Sequence, residues 1–374
     1  MELGIMFFSS AGDLRPGRGR YGLLLDAVRF ADRRGFAAVW TPERHFHPFG
    51  GLFPNPAVLS AGIATITERL EIRAGSLISP LHSPLRIAEE WSVVDNLSAG
   101  RVAISFGSGW NVDDFVLAPG NYEQRHEVMA RQIETVRQLW RGGAVTERNG
   151  AGKDVAVRVY PRPVRRELPV WMTSSGNPAT FEKAGALDAN VLTHLIGQDL
   201  VALAAKVARY REARARHGLD PRRGKVSLML HTFVGDDPRE VRAQVRAPFR
   251  SYLRSAISLE EKAAIGGGVI SGGHRIEAHD ISETTMEELL DATFERYFEN
   301  GALMGTADRL EGLVLRLTEI GVDEIACLID FGVEETAVLA ALERLDELRR
   351  RVSPEAAAAA VQQACRGFTE EVDE

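Results

Sequence analysis

Short apolar runs alternate along this chain with longer stretches in which apolar residues recur every three or four positions. This is the pattern of strands buried on both faces alternating with amphipathic helices. Residues 3–8 read as a first strand, and Leu24, Ala27, Val28 and Ala31 trace the helix that follows, closed by Gly35. Further strands are predicted at 36–40, 70–78, 101–106, 169–173, 189–193, 226–234 and 324–329. Between them, Leu85, Ala88, Trp91 and Val94 mark one helix, and Met129, Ile133, Val136 and Trp140 the next. Leu200, Leu203, Ala204 and Val207 form a later stripe, and Leu310, Leu313, Val314 and Leu317 another. Asn55-Pro56, Ser83-Pro84, Asn177-Pro178 and Asp237-Pro238 each place a capping side chain before a first-turn proline, where no amide donor is needed.

The alternation comes close to eight strand-helix units, the content of an α/β (β/α)8 TIM barrel. A doubly wound sheet needs a reversal of strand order, and nothing in the pattern marks one. The rhythm breaks twice, giving insertions at 141–167 after the fourth strand and 256–300 after the seventh. The first holds Asn149-Gly150 and alternating Val155, Val157 and Val159, the signature of a hairpin or extended excursion. Within the second, 259–283 includes I-G-G-G-V-I-S-G-G-H and reads as a mobile loop. One barrel domain over 1–350 is therefore expected, followed at 351–374 by an alanine-rich helix and an acidic tail.

Composition narrows the classes. At 45% hydrophobic and 26% charged residues the chain has the makeup of a globular protein, and a net charge of -7 argues against a broad nucleic-acid surface. Cys327 and Cys365 are the only cysteines, so neither a disulfide framework nor a thiolate metal site is offered. With no basic n-region and no apolar run of bilayer length, no membrane association is expected and the cytoplasm is the default.

Candidate chemistry collects where strands end, the edge that carries the pocket in parallel α/β folds. After the second strand come Glu43, Arg44, His45 and His47. After the fifth, Thr173-Ser174-Ser175-Gly176-Asn177-Pro178 leads hydroxyls, a glycine and free amides into a helix start. That is the recipe for an anion site, and equally that of an ordinary capped turn. Gly75-Ser76 lets a flat ligand approach the third strand closely, unless it is only a tight exit. Gly107-Ser108-Gly109-Trp110-Asn111 offers stacking surface and an amide, or one packed tryptophan. His45, His47, His194, His231 and Asp330 loosely imitate the ligands of a metal-dependent barrel hydrolase. Their strand positions do not match that pattern, and no metal is assigned.

Taken in order, G-I-M-F-F (4–8), V-W-T-P-E-R-H-F (39–46), G-L-F-P-N-P (51–56), S-P-L-H-S-P-L-R-I-A-E-E (79–90), L-S-A-G-R (97–101) and G-S-G-W-N (107–111) resemble the bacterial luciferase-like family of flavin-dependent monooxygenases. The likeness resumes with G-V-D-E-I-A-C-L-I-D-F-G (321–332), which together with T-S-S-G-N-P is similar to a subgroup associated with natural-product assembly lines. The resemblance implies a homodimeric (β/α)8 barrel that binds FMN, supplied reduced by a separate flavin reductase, and oxygenates a small-molecule or carrier-tethered substrate. It places the FMN phosphate at Thr173, Ser174, Ser175 and Gly176. Asn111 and His126 are implied to contact the flavin or its phosphate arm, and Gly75-Ser76, often joined in the family by a non-prolyl cis peptide, to lie under the ring. It makes His45 the catalytic imidazole and leaves His47 structural, with Glu43 and Arg44 either paired to orient His45 or solvated. The loop at 266–273 is then a candidate lid, and Arg158, Arg162, Arg165 and Arg166 either a solvated run or a dock for an acidic carrier protein. The absence of a G-x-G-x-x-G after a strand fits a separate reductase. A deazaflavin-dependent oxidoreductase on the same barrel, a non-catalytic flavin-binding subunit and the metal hydrolase remain as alternatives.

Overall fold

A strand whose side chains alternate between a barrel interior and a ring of helices must be apolar on both faces, and the barrel strands of this protein are buried almost throughout. The structure is a computed structural model that describes residues 1–8, 19–265 and 283–353. In chain order the strands are β1 (Glu2–Met6), β2 (Ala38–Thr41), β3 (Glu71–Ile78), β4 (Val102–Gly107), β5 (Val145–Arg148), β6 (Asp154–Val157), β7 (Val170–Thr173), β8 (Asn190–His194), β9 (Val226–Val234), β10 (Leu303–Gly305) and β11 (Glu324–Leu328). The helices are α1 (Gly22–Arg34), α2 (Pro56–Ala64), α3 (Pro84–Leu97), α4 (Arg125–Trp140), α5 (Pro178–Ala186), α6 (Leu200–Arg216), α7 (Pro238–Ile265), α8 (Glu283–Arg296), α9 (Ala307–Glu319) and α10 (Glu335–Val352).

Parallel pairing runs β1-β2-β3-β4-β7-β8-β9-β11 and closes where β11 meets β1. The result is the expected (β/α)8 barrel, which removes the doubly wound alternative. The short β10 pairs with the end of β9, and β5 and β6 form the antiparallel hairpin of the first insertion. All four cap-proline starts behave as read: the side chains of Asn55, Ser83, Asn177 and Asp237 each accept an amide of the first turn.

The second insertion departs from expectation. A loop was expected from 259, yet α7 continues to Ile265, because Leu259-Glu260-Glu261-Lys262-Ala263-Ala264 is made of strong helix formers and the glycines begin only at Gly266. The candidate lid at 266–273 and the C-terminal segment from 354 lie outside the described residues. Helices α7 and α8 pair along a ladder of charges. Arg242 meets Glu295 and Glu299, Arg246 meets Asp291, Arg250 meets Glu287 and Asp291, and Arg254 meets Glu287. Beneath the ladder lie Phe249, Leu290 and Phe294, all buried.

The lower barrel interior is filled by a charged plug rather than by aliphatic layers. Arg73 donates to Glu324 at 2.6 Å and to Glu71 at 2.7 Å, while the Trp40 indole donates to Glu324 at 2.9 Å. The guanidinium carbon lies 4.8 Å from the Trp40 ring centroid and 4.4 Å from that of Trp171. Burial works against the Arg73 charge, but the two carboxylates outweigh it and hold its pKa above the ordinary value. Removing one partner leaves the other charge buried and uncompensated. We therefore predict that Arg73→Met lowers stability by roughly 3–5 kcal/mol, and that adding Glu324→Leu recovers part of the loss. Urea unfolding checks this, and a cost below about 1 kcal/mol for the single variant would show that the plug does not carry the charge balance assigned to it.

Candidate active site

The strand ends that carry the sequence motifs open into one cavity of about 220 Å³ at the carboxyl face of the barrel. Its floor is made of small residues, Gly75 and Ser76 of β3 and Gly107 of β4. The Gly75-Ser76 peptide is cis, as the family resemblance implied. A Cβ at Gly75 would stand 2.9 Å from Cε3 of Trp40, so only glycine fits above the plug. Thr173 Oγ1 lies 2.5 Å from Ser76 Oγ and 2.7 Å from Ser105 Oγ, linking β3, β4 and β7 by a line of hydroxyls. Phe8, Phe49, Trp110 and Tyr252 supply aromatic wall.

One end of the cavity is suited to an anion. Thr173 and Ser175 line it, and the chain turns at Gly176 with φ of +106° before Asn177 caps α5. Ser174 is buried, its hydroxyl donating to Asn177 O at 3.4 Å and accepting from the Gly176 amide at 3.3 Å, so it shapes the turn rather than facing the cavity. A residue not singled out from the sequence joins here. Lys206 of α6 places Nζ 3.3 Å from where a Cβ at Gly176 would lie, and donates to Gln198 Oε1 at 2.6 Å. Burial lowers its pKa, and Asp199 opposes that only in part. On the same wall His194 accepts the Ile196 amide at Nδ1 at 3.1 Å, so in the neutral ring Nε2 bears the hydrogen. Burial, with the Lys206 charge nearby, pushes His194 down to about 4.

The other end gathers carboxylates and imidazoles. Glu43, on the loop after β2, is held by His45 Nε2 at 2.9 Å, His82 Nε2 at 2.5 Å and the Ile78 amide at 2.6 Å. Burial alone would raise its pKa, but the hydrogen bonds from His45 and His82 keep it below the ordinary carboxylate value. Burial likewise disfavours the His82 cation, and the Glu43 hydrogen bond and charge overcome this, so its pKa is raised. The Arg44 guanidinium lies over Phe8, 3.9 Å from the ring centroid. Asp114 lines the cavity from the short turn at 112–117, and its Oδ1 accepts from Asn111 Nδ2 at 2.8 Å. Burial raises the Asp114 carboxyl to about 6, although His45 and Arg44 pull the other way.

The expected residues are thus unevenly placed. Gly75, Ser76, Thr173 and Ser175 line the cavity, whereas His45 stands behind Glu43, and Asn111 is buried as the cap of the 112–117 turn. His126 is exposed on the first turn of α4, outside the cavity lining, with Arg125 and Lys183 as its neighbouring charges. His47 accepts the Phe49 amide at 3.0 Å, a local structural contact. His231 is buried among Phe249, Tyr252, Tyr297 and Phe331. Among the described residues no three His, Cys, Asp or Glu side chains converge as metal ligands. In the arginine run Arg158, Arg162 and Arg166 are exposed; Arg158, Arg162 and Arg165 bond Gly142 O, Trp140 O and Glu71, and Glu71 opens β3 at the barrel end opposite the cavity. Among the described residues no helix is long and apolar enough to cross a membrane.

The oxygenase component of a flavin-dependent trigonelline monooxygenase from Acinetobacter baylyi is 25% identical over 334 residues, covering 87% of this chain and 88% of that protein. An F420-dependent glucose-6-phosphate dehydrogenase from Amycolatopsis mediterranei is 29% identical over 46% of this chain and 54% of its own. The fold is shared with the FMN complex of the oxygenating constituent of 3,6-diketocamphane monooxygenase from Pseudomonas putida. That structure has a TM-score of 0.70 at 18% identity, over 95% of this chain and 98% of that one. The profile of the luciferase-like monooxygenases matches residues 1–324, and with it this barrel belongs to that family.

Proposed function

We propose that this protein is the oxygenase of a two-component monooxygenase, taking reduced FMN from a separate reductase and using dioxygen to oxygenate an organic substrate, with a place in natural-product biosynthesis. The observation that carries the reading is the pairing of a glycine-serine floor with an anion cradle at one end of the same cavity. A ring needs close approach to backbone, and a phosphorylated arm needs amides, hydroxyls and a cation. The floor is Gly75-Ser76 and Gly107; the cradle is Thr173 and Ser175 in the lining, with Gly176 and Lys206 beside each other behind them. The trigonelline relative, named as an oxygenase component, supports the separate reductase, and the FMN complex of the diketocamphane enzyme supports the flavin. A homodimer and a cytoplasmic setting belong to the same proposal.

When bound, reduced flavin supplies the electrons for activating dioxygen. The protein's own groups then have three tasks. The cradle fixes the phosphate, the aromatic wall limits water, and the His45-Glu43-His82 triad holds a proton at the cavity edge on His45 or His82, with Glu43 kept ionised between them. Asn111 takes its proposed part through Asp114, while His126, exposed on α4 and outside the cavity lining, keeps its proposed flavin contact only from the family resemblance.

FMN titration followed by fluorescence should give saturable binding that Lys206→Met weakens roughly tenfold, the share of one charge-assisted hydrogen bond. Unchanged affinity would remove Lys206 from the cradle. In stopped flow, reduced FMN mixed with the protein and oxygen should regain its oxidised absorbance more slowly than free FMN. Reoxidation at the free rate, or tighter binding of a deazaflavin than of FMN, would favour the F420-type reading. His45→Gln should keep FMN affinity while lowering substrate oxygenation by about 10²-fold or more; full activity in that variant would end its catalytic assignment.

A further inference from the structure

Asp114 enters the reading so far only as the partner of Asn111, yet with Glu43 it is one of two acids that line the cavity. The residue is 5% exposed and lines the cavity, and the carboxylate has one short partner, Asn111 Nδ2 on Oδ1. An ion in such a place is costly unless several donors meet it. Glu43 is the contrast: equally buried, it receives three donors and stays ionised. The charges facing Asp114 are mixed. His45 and Arg44 on the loop after β2 favour its anion, Glu43 on that loop opposes it, and Asp113 on its own turn is exposed.

We propose that Asp114 is a ligand-contacting residue that meets bound flavin as a neutral carboxylic acid, donating a hydrogen bond to a ring acceptor, so that flavin affinity depends on its protonation. This rests on the flavin reading above. Its carboxyl is raised to about 6, so the donor form prevails below that pH and gives way to the carboxylate above it. A carboxylate cannot donate, and it repels an anionic ligand. Asn111, expected from the family resemblance to touch the flavin, acts in this account by orienting Asp114.

The test is flavin affinity between pH 5 and pH 8 for the wild type, Asp114→Asn and Asp114→Ser, the last in case the amide disturbs folding. A phosphomonoester itself titrates near pH 6, so riboflavin is measured beside FMN. The wild type is expected to lose roughly tenfold in affinity for both probes relative to the variants as pH rises through 6. The melting temperature supplies a readout independent of flavin. A carboxyl with a raised folded-state pKa gives stability that is complete below its unfolded value and is lost as pH rises through about 6. Asp114→Asn should therefore stabilise the protein more at pH 8 than at pH 4. If wild type and variants keep a constant affinity ratio across the range, Asp114 does not act as the donor and the inference fails while the flavin reading stands. If neither probe binds the wild type at any pH, both fall.

Discussion

The buried ion pair between Arg73 and Glu324 is the constraint from which the site is built. It joins β3 to β11 across the interior, and with Trp40 and Trp171 pressed against the guanidinium it fills a space that aliphatic side chains occupy in many barrels. Trp40 reaches upward from this plug to the underside of Gly75, leaving no room for a side chain there. The cavity floor is thus set from below: the charge pair fixes the indole, and the indole dictates the glycine. Its flatness follows from a packing problem solved one layer down.

Above that floor the cavity is electrically lopsided. The cradle side collects the Thr173 and Ser175 hydroxyls and, behind Gly176, the Lys206 ammonium, while His194 is kept neutral by burial. On the opposite side a carboxylate shared by two imidazoles sits beside a carboxyl that burial has made a weaker acid. Two acids on neighbouring turns are driven in opposite directions by the number of donors each receives. A ligand with a strongly anionic tail and a ring that exchanges protons matches this gradient from end to end.

Much of this was legible in the chain. The strands were recognisable because burial on both faces leaves uninterrupted apolar runs, and the helix starts because a cap followed by proline has few other uses. The cluster at Glu43 to His47 was placed at a strand end by the same logic. Its wiring was not legible, since His82 arrives from a different strand-helix unit and only closure of the barrel brings it to Glu43. Lys206 reads in sequence as any lysine on a helix's polar face; packing of α6 beside α5 makes it a neighbour of Gly176. The spacing of Asn111 and Asp114 was a usable local clue, an amide three residues before an acid within a turn. For the arginines at 158–166 the sequence left a solvated run and a dock both open; what it did not show is that three of them bond carbonyls or a carboxylate at the far end of the barrel.

The charge ladder sets arginines at 242, 246, 250 and 254 of α7 against acids at 287, 291 and 295 of α8 and at 299 on the wider turn that follows it. Equal spacing on both helices has a consequence for how their register is encoded. Arg242 and Arg250 each already touch two successive acids, so sliding one helix by a turn, about 5.4 Å, would exchange most partners for equivalent ones. Such a seam supplies adhesion without an address. The address is held by unequal shapes beneath it, Phe249, Leu290 and Phe294, and because Tyr252 of α7 reaches the cavity wall, those three apolar side chains decide where the wall stands.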